Sequence, residues 1–434
     1  MQNYIFSDFG LEITRKLCEL GKKQKHVYPL SKVEPFKDYF LGDQLKYDSL
    51  DLLDGRFTRR EILTRYLLVN TVLDQGPDPE GVAILLRDVT VSLYGRGIRI
   101  FHEVLDFFKA IDISIGEIIS KHEAVKKVRK NDWARKMKST PSKYNLFFAQ
   151  STRGIVPSHQ ALDYTIHRIG VPLCLFLLLE KDPPRASQPP IEKYLEGCRG
   201  EEIARQKEQS RASQPLIEYL ESFKSAEEMA RQLKDHPKYG LGSAIGDKAC
   251  HLFAKLYVGT YKLVRSTKEG DKGWTGISYE APFDSNAGRV LFRTGFLLEW
   301  ATLKEYKKSG VIQIGKGKGE TSRGKKTNYI RVTNIRGMNA NIPLTPFYIE
   351  LVTEYFKVGS RPRTVKIQRI PNLIIHELNQ KGYEYSIADF DDGLMHVGTQ
   401  YCFNHENPAC NKCPLREMCR GCTQDPRLIE EYRT

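Results

Sequence analysis

At 434 residues, with 67 Lys and Arg against 53 Asp and Glu, the chain carries a formal net charge of +14. That length exceeds one small domain, and the positive balance favours a polyanionic partner such as nucleic acid over an acidic small substrate. The longest apolar run, Val171 to Leu179, is nine residues, too short to span a bilayer. The start MQNYIFSDFG lacks the basic-then-apolar pattern of a signal peptide, so a soluble, monomeric protein of the cytoplasm (nucleoid-associated) or nucleus is expected, without a membrane partner.

Residues 1–58 mix Tyr, Phe, Lys and Asp without a clear period and read as a helical lead-in. Arg59–Leu73 (RREILTRYLLVNTVL) has the spacing of a helix with one apolar face, ended by Gly76, Pro77 and Pro79. Helices over Val82–Leu93 and Ile98–Phe108 follow, and helices joined by short polar turns predict a mainly α fold. Between Lys121 and Lys138 cations interleave with Trp133, which suits a phosphate backbone and equally a solvated helix face. The echo RASQPPIEKYLE (Arg185–Glu196) and RASQPLIEYLE (Arg211–Glu221) lies in polar surroundings. It predicts a surface insertion over about 180–225 with two short helices, each opened by a Ser-Gln-Pro turn.

In Tyr239–Tyr257 the glycines at 240, 242 and 246 permit a tight hairpin. From Asp247 a helix should turn Ala249, Leu252, Phe253 and Leu256 inward. A Gly-rich turn opening a helix offers free backbone N–H groups to an anion, which marks Gly242 and Gly246 as candidate phosphate contacts. Lys248 stands one step into that helix. Further on, Pro282–Phe296 (PFDSNAGRVLFRTGF) places Asp284 where a loop ends and an amphipathic helix begins, the position of an ordinary N-cap. Helical spacing turns Val290, Leu291 and Phe292 inward and Arg289 and Arg293 outward.

A second insertion, about 301–368, holds two expected strands, 311–314 and 328–333. They are joined by GKGKGETSRGKKT, whose Lys316, Lys318, Lys325 and Lys326 can reach along a phosphate backbone. Helical pattern returns at Pro343–Lys357 and Pro371–Gln380. The C-terminus then packs five of the nine cysteines together. Cys402, Cys410, Cys413 and Cys419 are separated by seven, two and five residues, short loops that can gather four thiolates round a soft-metal centre, iron–sulfur or zinc. Cys422 is a spare able to replace Cys419, and Lys412 and Arg416 lie inside the loop. Cys18, Cys174, Cys198 and Cys250 read as buried small hydrophobes.

The run GLMHVGTQYC with this cysteine spacing resembles the cluster loop of the endonuclease III-like DNA glycosylases of the helix-hairpin-helix (HhH-GPD) superfamily, with one extra residue in the first gap. The segment around Asp284 resembles that family's V-D-T-H-x-x-R-V-x-x-R-x-G, with Arg289, Val290, Arg293 and Gly295 in register. Ile245-Gly246-Asp247-Lys248 resembles its V-G-x-K, although Lys248 and Asp284 stand about twice as far apart as in the family. The break at Asp74-Gln75 is placed like the family's early loop, whose Gln fills the gap left by an extruded base.

The resemblance implies a two-lobed helical fold with a small β-containing insertion and a C-terminal 4Fe-4S cluster on Cys402, Cys410, Cys413 and Cys419. The lobes would be a hairpin domain over 59–275 and a catalytic-Asp lobe over 276–401, ahead of the cluster loop at 402–422. It further implies a double-stranded DNA partner, and base excision by Asp284, with Lys248 as the amine of an AP-lyase step. Gln75, Gly242, Gly246, Arg289, Lys412 and Arg416 would join the loop lysines at DNA. Two other readings share these residues: a transferase of the hypermodified-thymine type on the same scaffold, and a DNA-binding protein without chemistry.

Overall fold

The computed structural model describes residues 6–25, short pieces between 36 and 58, 59–74, pieces between 83 and 110, 172–181, 214–264, 274–300, 302–308, strand residues between 312 and 366, 369–403 and 408–430. Gln75, the Lys121–Lys138 stretch, the first RASQP copy, Cys198, Lys318, Lys325, Lys326 and the helix expected at Pro343–Lys357 lie outside the described residues.

What is described is mainly helical. The principal helices are α1 (Asp8–Lys23), α2 (Arg59–Leu73), α3 (Val104–Ala110), α4 (Pro215–Glu221), α5 (Ala226–Asp235), α6 (Asp247–Ala254), α7 (Ser285–Arg293), α8 (Leu303–Lys308), α9 (Ile370–Gln380), α10 (Ile387–Gln400), α11 (Arg420–Thr423) and α12 (Arg427–Glu430). Among the described residues, strands pair only in two-stranded antiparallel ladders. In the longest, β1 (Ile312–Lys316) sets Ile312 opposite Val332 and Lys316 opposite Asn328 of β2 (Asn328–Val332), where two strands were expected. Ile98–Glu103 forms turns instead of the expected helix start, and α3 begins only at Val104. No helix among the described residues is long and apolar enough to cross a membrane.

The core forms around α2, which is buried on all sides and not on one face as its spacing suggested. Ile62, Leu63, Tyr66, Leu68, Val69 and Val72 are buried, and so are Glu61 and Arg65. The two charges offset each other: Arg65 Nε lies 2.8 Å from Glu61 Oε1, and Arg65 Nη1 lies 2.8 Å from Glu180 Oε1. The Glu61 carboxylate also accepts the amides of Leu216 and Ile217, each at 3.1 Å, capping the first turn of α4. This places the Pro215–Glu221 part of the second copy in the core. Leu216, Ile217, Tyr219 and Leu220 are buried, so this part of 180–225 is no surface insertion.

The N-terminal residues are likewise more than a lead-in. Ser7 caps α1 by accepting the Gly10 amide at 3.1 Å, and α1 lies against α10 at very short range. Two glycines permit that approach. A Cβ on Gly21 would stand 1.8 Å from the Asp389 carbonyl oxygen, and one on Gly393 would stand 2.0 Å from that of Leu17. Gly393→Ala is therefore expected to push the helices apart and cost about 1–3 kcal/mol as overpacking. Thermal melting checks it, with Gly95→Ala, where an added Cβ meets nothing within 4 Å, as the control that should not fall.

Candidate active site and cysteine centre

Helices α5 and α6 pack against each other and are joined by a compact hairpin. Ser225 caps α5 by accepting the Glu228 amide, and past its end the His236 and Tyr239 rings stack with centroids 5.1 Å apart. The Leu241 amide returns to the Leu233 carbonyl at 2.8 Å. Gly242 takes a φ of +57°, a left-handed conformation that costs glycine little, and the turn delivers the chain to Gly246. As the N-cap of α6, Gly246 has no side chain to bond the first-turn amides. Asp247 stands in that turn and accepts Lys234 Nζ at 2.6 Å, so a carboxylate already answers part of the positive helix start. Along α6, Ala249, Phe253 and Leu256 are buried as expected, whereas Leu252 is only partly buried. After Ala254 the helix widens into a π turn, Lys255–Thr260.

The approach to Asp284 is stapled from several sides. Asn372 donates to the carbonyls of Ile277 at 2.8 Å and Tyr279 at 2.7 Å, and the Ile387 amide bonds the Gly276 carbonyl at 2.9 Å. Arg369 Nε reaches Glu280 Oε1 at 3.0 Å. Asp284 then caps α7 as its sequence position implies. Its Oδ1 accepts the amides of Asn286 and Ala287, both at 2.9 Å. This leaves Oδ2 facing Lys248, whose Nζ lies 3.0 Å away; the two side chains are 34% (Lys248) and 23% (Asp284) exposed. One oxygen is thus fixed by the helix and the other faces the amine, in a pair that is only partly exposed. Burial works against the Lys248 charge, but Asp284 and Asp74, with a smaller contribution from Asp391, outweigh it and hold its pKa above the ordinary lysine value.

Beneath this pair lies a buried triad that sequence reasoning missed. Lys255 Nζ bonds Asp391 Oδ2 and Asp392 Oδ1, each at 2.6 Å, with all three side chains at most 5% exposed. Burial pushes both carboxyls up against the pull of Lys255. The adjacent acids Asp391 and Asp392, within a helical run that also carries Ile387, Ala388, Phe390 and Leu394, were the available signal.

The arginines of α7 turn inward, contrary to the outward reading. Arg289 and Arg293 are buried, at 7% and 2% exposure. Arg289 donates to the carbonyls of Cys402 at 2.7 Å and Gly398 at 3.1 Å. Arg293 Nη1 donates to Cys402 Sγ at 3.3 Å and to the Phe403 carbonyl at 2.9 Å, and its own carbonyl accepts the Cys419 thiol at 3.4 Å. The end of the helix that Asp284 begins therefore holds the cysteine loop.

Cys402, Cys410, Cys413, Cys419 and Cys422 all line one partly open pocket, together with Val290, Val397, Leu415 and Ile429. Among the described residues no set of three or more His, Cys, Asp or Glu side chains is placed to hold a metal ion directly; the five sulfurs ring a common volume instead. Burial, then the neighbouring Cys422 thiol, pushes Cys410 up to about 11. Burial likewise takes Cys413 to about 12 and Cys422 to about 11. Several thiolates in this space need a cationic partner to offset them. Lys412 and Arg416 project from the loop, both exposed, while Cys18, Cys174 and Cys250 are buried elsewhere, as expected. Lys316 ends β1. No family model, no curated protein and no solved structure matches the chain.

Proposed function

We propose that the chain is a DNA N-glycosylase of the helix-hairpin-helix kind, a two-lobed helical scaffold whose Cys402, Cys410, Cys413 and Cys419 hold a 4Fe-4S cluster. The observation that supports it most is the 3.0 Å approach of Lys248 to Asp284, at the start of the helix that follows a glycine hairpin. The target nucleotide would be turned out of the duplex, at a cost of a few kcal/mol that is least at damaged pairs. As the glycosidic bond breaks, positive charge grows on the sugar; Asp284 Oδ2 stabilises it and orients the attacking water. Phosphates would lie along the hairpin amides near Gly242 and Gly246 and the exposed Lys412 and Arg416, with Lys316, Lys318, Lys325 and Lys326 on their loop. Gln75 would fill the space left by the base. Arg289, bonded inside the protein, supports the loop rather than touching DNA. When bound, the cluster supplies a compact charged cross-link, and the residues of α7 hold its loop in place.

The resting charge of Lys248 decides the branch. An ammonium does not attack C1′, so the lyase route needs Nζ to pass a proton first, to Oδ2 of Asp284, before the amine bonds C1′ and the base leaves with its electron pair. Borohydride trapping on an abasic duplex should therefore rise as pH increases and vanish in Lys248→Ala; an adduct that persists in that variant refutes Lys248. The proposal as a whole is tested by a panel of single-lesion duplexes, scored for released base. A second reading, a base-modifying transferase on the same scaffold, draws on the same resting charge, because an ammonium held at Asp284 suits binding better than attack. Base kept on the strand in altered form would favour it.

A further inference from the structure

The two acids of the buried triad are equal in their bonds to Lys255 but not in what else they face. Resting on the reading of Lys248 and Asp284 above, we propose that Asp391, clamped by Lys255, is a positioning residue of that site, a buried counter-charge behind Lys248, whereas Asp392 serves only the fold.

The helices set this arrangement. Lys248 and Lys255 stand roughly two turns apart on α6, so both leave one face of it, about 10 Å from each other along the axis. The first meets Asp284 at 3.0 Å, and the second meets Asp391 and Asp392, each at 2.6 Å. Helices α7 and α10 run alongside in step. Asn286 Nδ2 donates to the Leu394 carbonyl at 3.4 Å, Arg289 to that of Gly398 at 3.1 Å, and Arg293 to that of Phe403 at 2.9 Å. The approach is close: a Cβ on Gly398 would stand 2.2 Å from Asn286 Oδ1. Asp391, Leu394 and Gly398 fall on one stripe of α10, at i, i+3 and i+7. One turn back from Leu394 therefore brings Asp391 level with the start of α7, where Asp284 is the cap.

Asp392 is aimed elsewhere. It stands about 100° further round α10, toward the side on which Asp389 and Gly393 meet α1. The charges around the two acids follow the same division. Burial acts most strongly on each and Lys255 next; beyond the triad, Asp284 reaches Asp391, whereas Asp389 and Lys25 reach Asp392. At Lys248, burial works against the charge, and Asp284 from α7, Asp74 from the end of α2 and Asp391 from α10 oppose it. The other nearby cations are engaged: Lys234 of α5 by Asp247 at 2.6 Å, and the α7 arginines by the cysteine loop. Asp391 thus acts on the site through Lys248.

The test is trace acetylation of the full chain with acetic anhydride across a pH series, read by mass spectrometry at Lys248, which is exposed enough to be labelled. Its midpoint is the pH at which the amine becomes reactive. Asp391→Asn removes a negative charge that favours the ammonium, so the midpoint should fall by about one pH unit, the low end for an opposite charge nearby. Asp392→Asn should leave it in place. Each variant keeps one charged partner and one amide oxygen for Lys255, so a merely structural Asp391 would behave as Asp392 does. A wild-type midpoint in Asp391→Asn, or an equal fall in Asp392→Asn, overturns the proposal. Circular dichroism identifies a variant that fails to fold, and its serine counterpart then takes its place; failure of both neutral forms at 391 also overturns the proposal. Borohydride trapping on an abasic duplex should begin at lower pH in Asp391→Asn. A wild-type chain that traps nothing at any pH overturns the lyase reading alone, because acetylation reads Lys248 without DNA.

Discussion

Asp284→Asn is expected to lower base release by about 10²–10³-fold, the range for losing one electrostatic group aimed at developing charge, while leaving duplex affinity intact. Asparagine caps helices as well as aspartate does, so its side-chain oxygen can keep the amides of Asn286 and Ala287. What it removes is the negative Oδ2 that faces Lys248. The substitution therefore separates chemistry from folding. Single-turnover base release together with a gel-shift Kd checks it. Full release would remove Asp284 from the chemistry, and a variant unaltered in every function would mark a DNA-binding protein without catalysis.

Glu61→Ala should be the most destabilising single change in the core, by about 3–5 kcal/mol, because it strips one partner from a buried charge. Arg65 would keep Glu180 and the Phe101 carbonyl but lose the more buried of its two carboxylate partners, and the Leu216 and Ile217 amides would lose their acceptor. The urea midpoint measures it; a shift within that of an ordinary surface substitution would refute the account. Glu61→Gln, which keeps an acceptor, should cost less. Burial outweighs Arg65 and holds Glu61 above the usual carboxylate range. The folded state thus binds that proton more readily than the unfolded chain, and stability should fall as pH rises through the window just above the ordinary glutamate value. Glu61→Gln should lack that slope.

The same pair shows why part of the fold was hidden in the sequence. Periodicity located Arg59–Leu73 to the residue, but Glu61 and Arg65 made one side of it look solvated, since a pattern of polarity does not show that two charges are each other's partners. For the same reason the polar surroundings of Pro215–Glu221 suggested surface, although its amides end on Glu61. Asp284 as an N-cap was legible because capping is local. Its neighbour Lys248, far off in the chain, was reached only through the resemblance. Arg289 and Arg293 were misread as outward because the groups that take them in, Gly398, Cys402 and Phe403, lie more than a hundred residues downstream. Lys255 with Asp391 and Asp392 was hidden by similar separation, and the close crossing of α1 and α10 rests on the absence of two side chains, which no hydrophobic pattern registers.

Helix α7 is nine residues long, and so short a helix has too few internal bonds to melt in pieces. Its first turn is fastened by Asp284 and its last by Arg293, which grips the cysteine loop. Local opening at either end therefore spends the same cooperative unit. The carboxylate at one end and the sulfur loop at the other share a single opening free energy, and amide exchange along α7 reports on both at once.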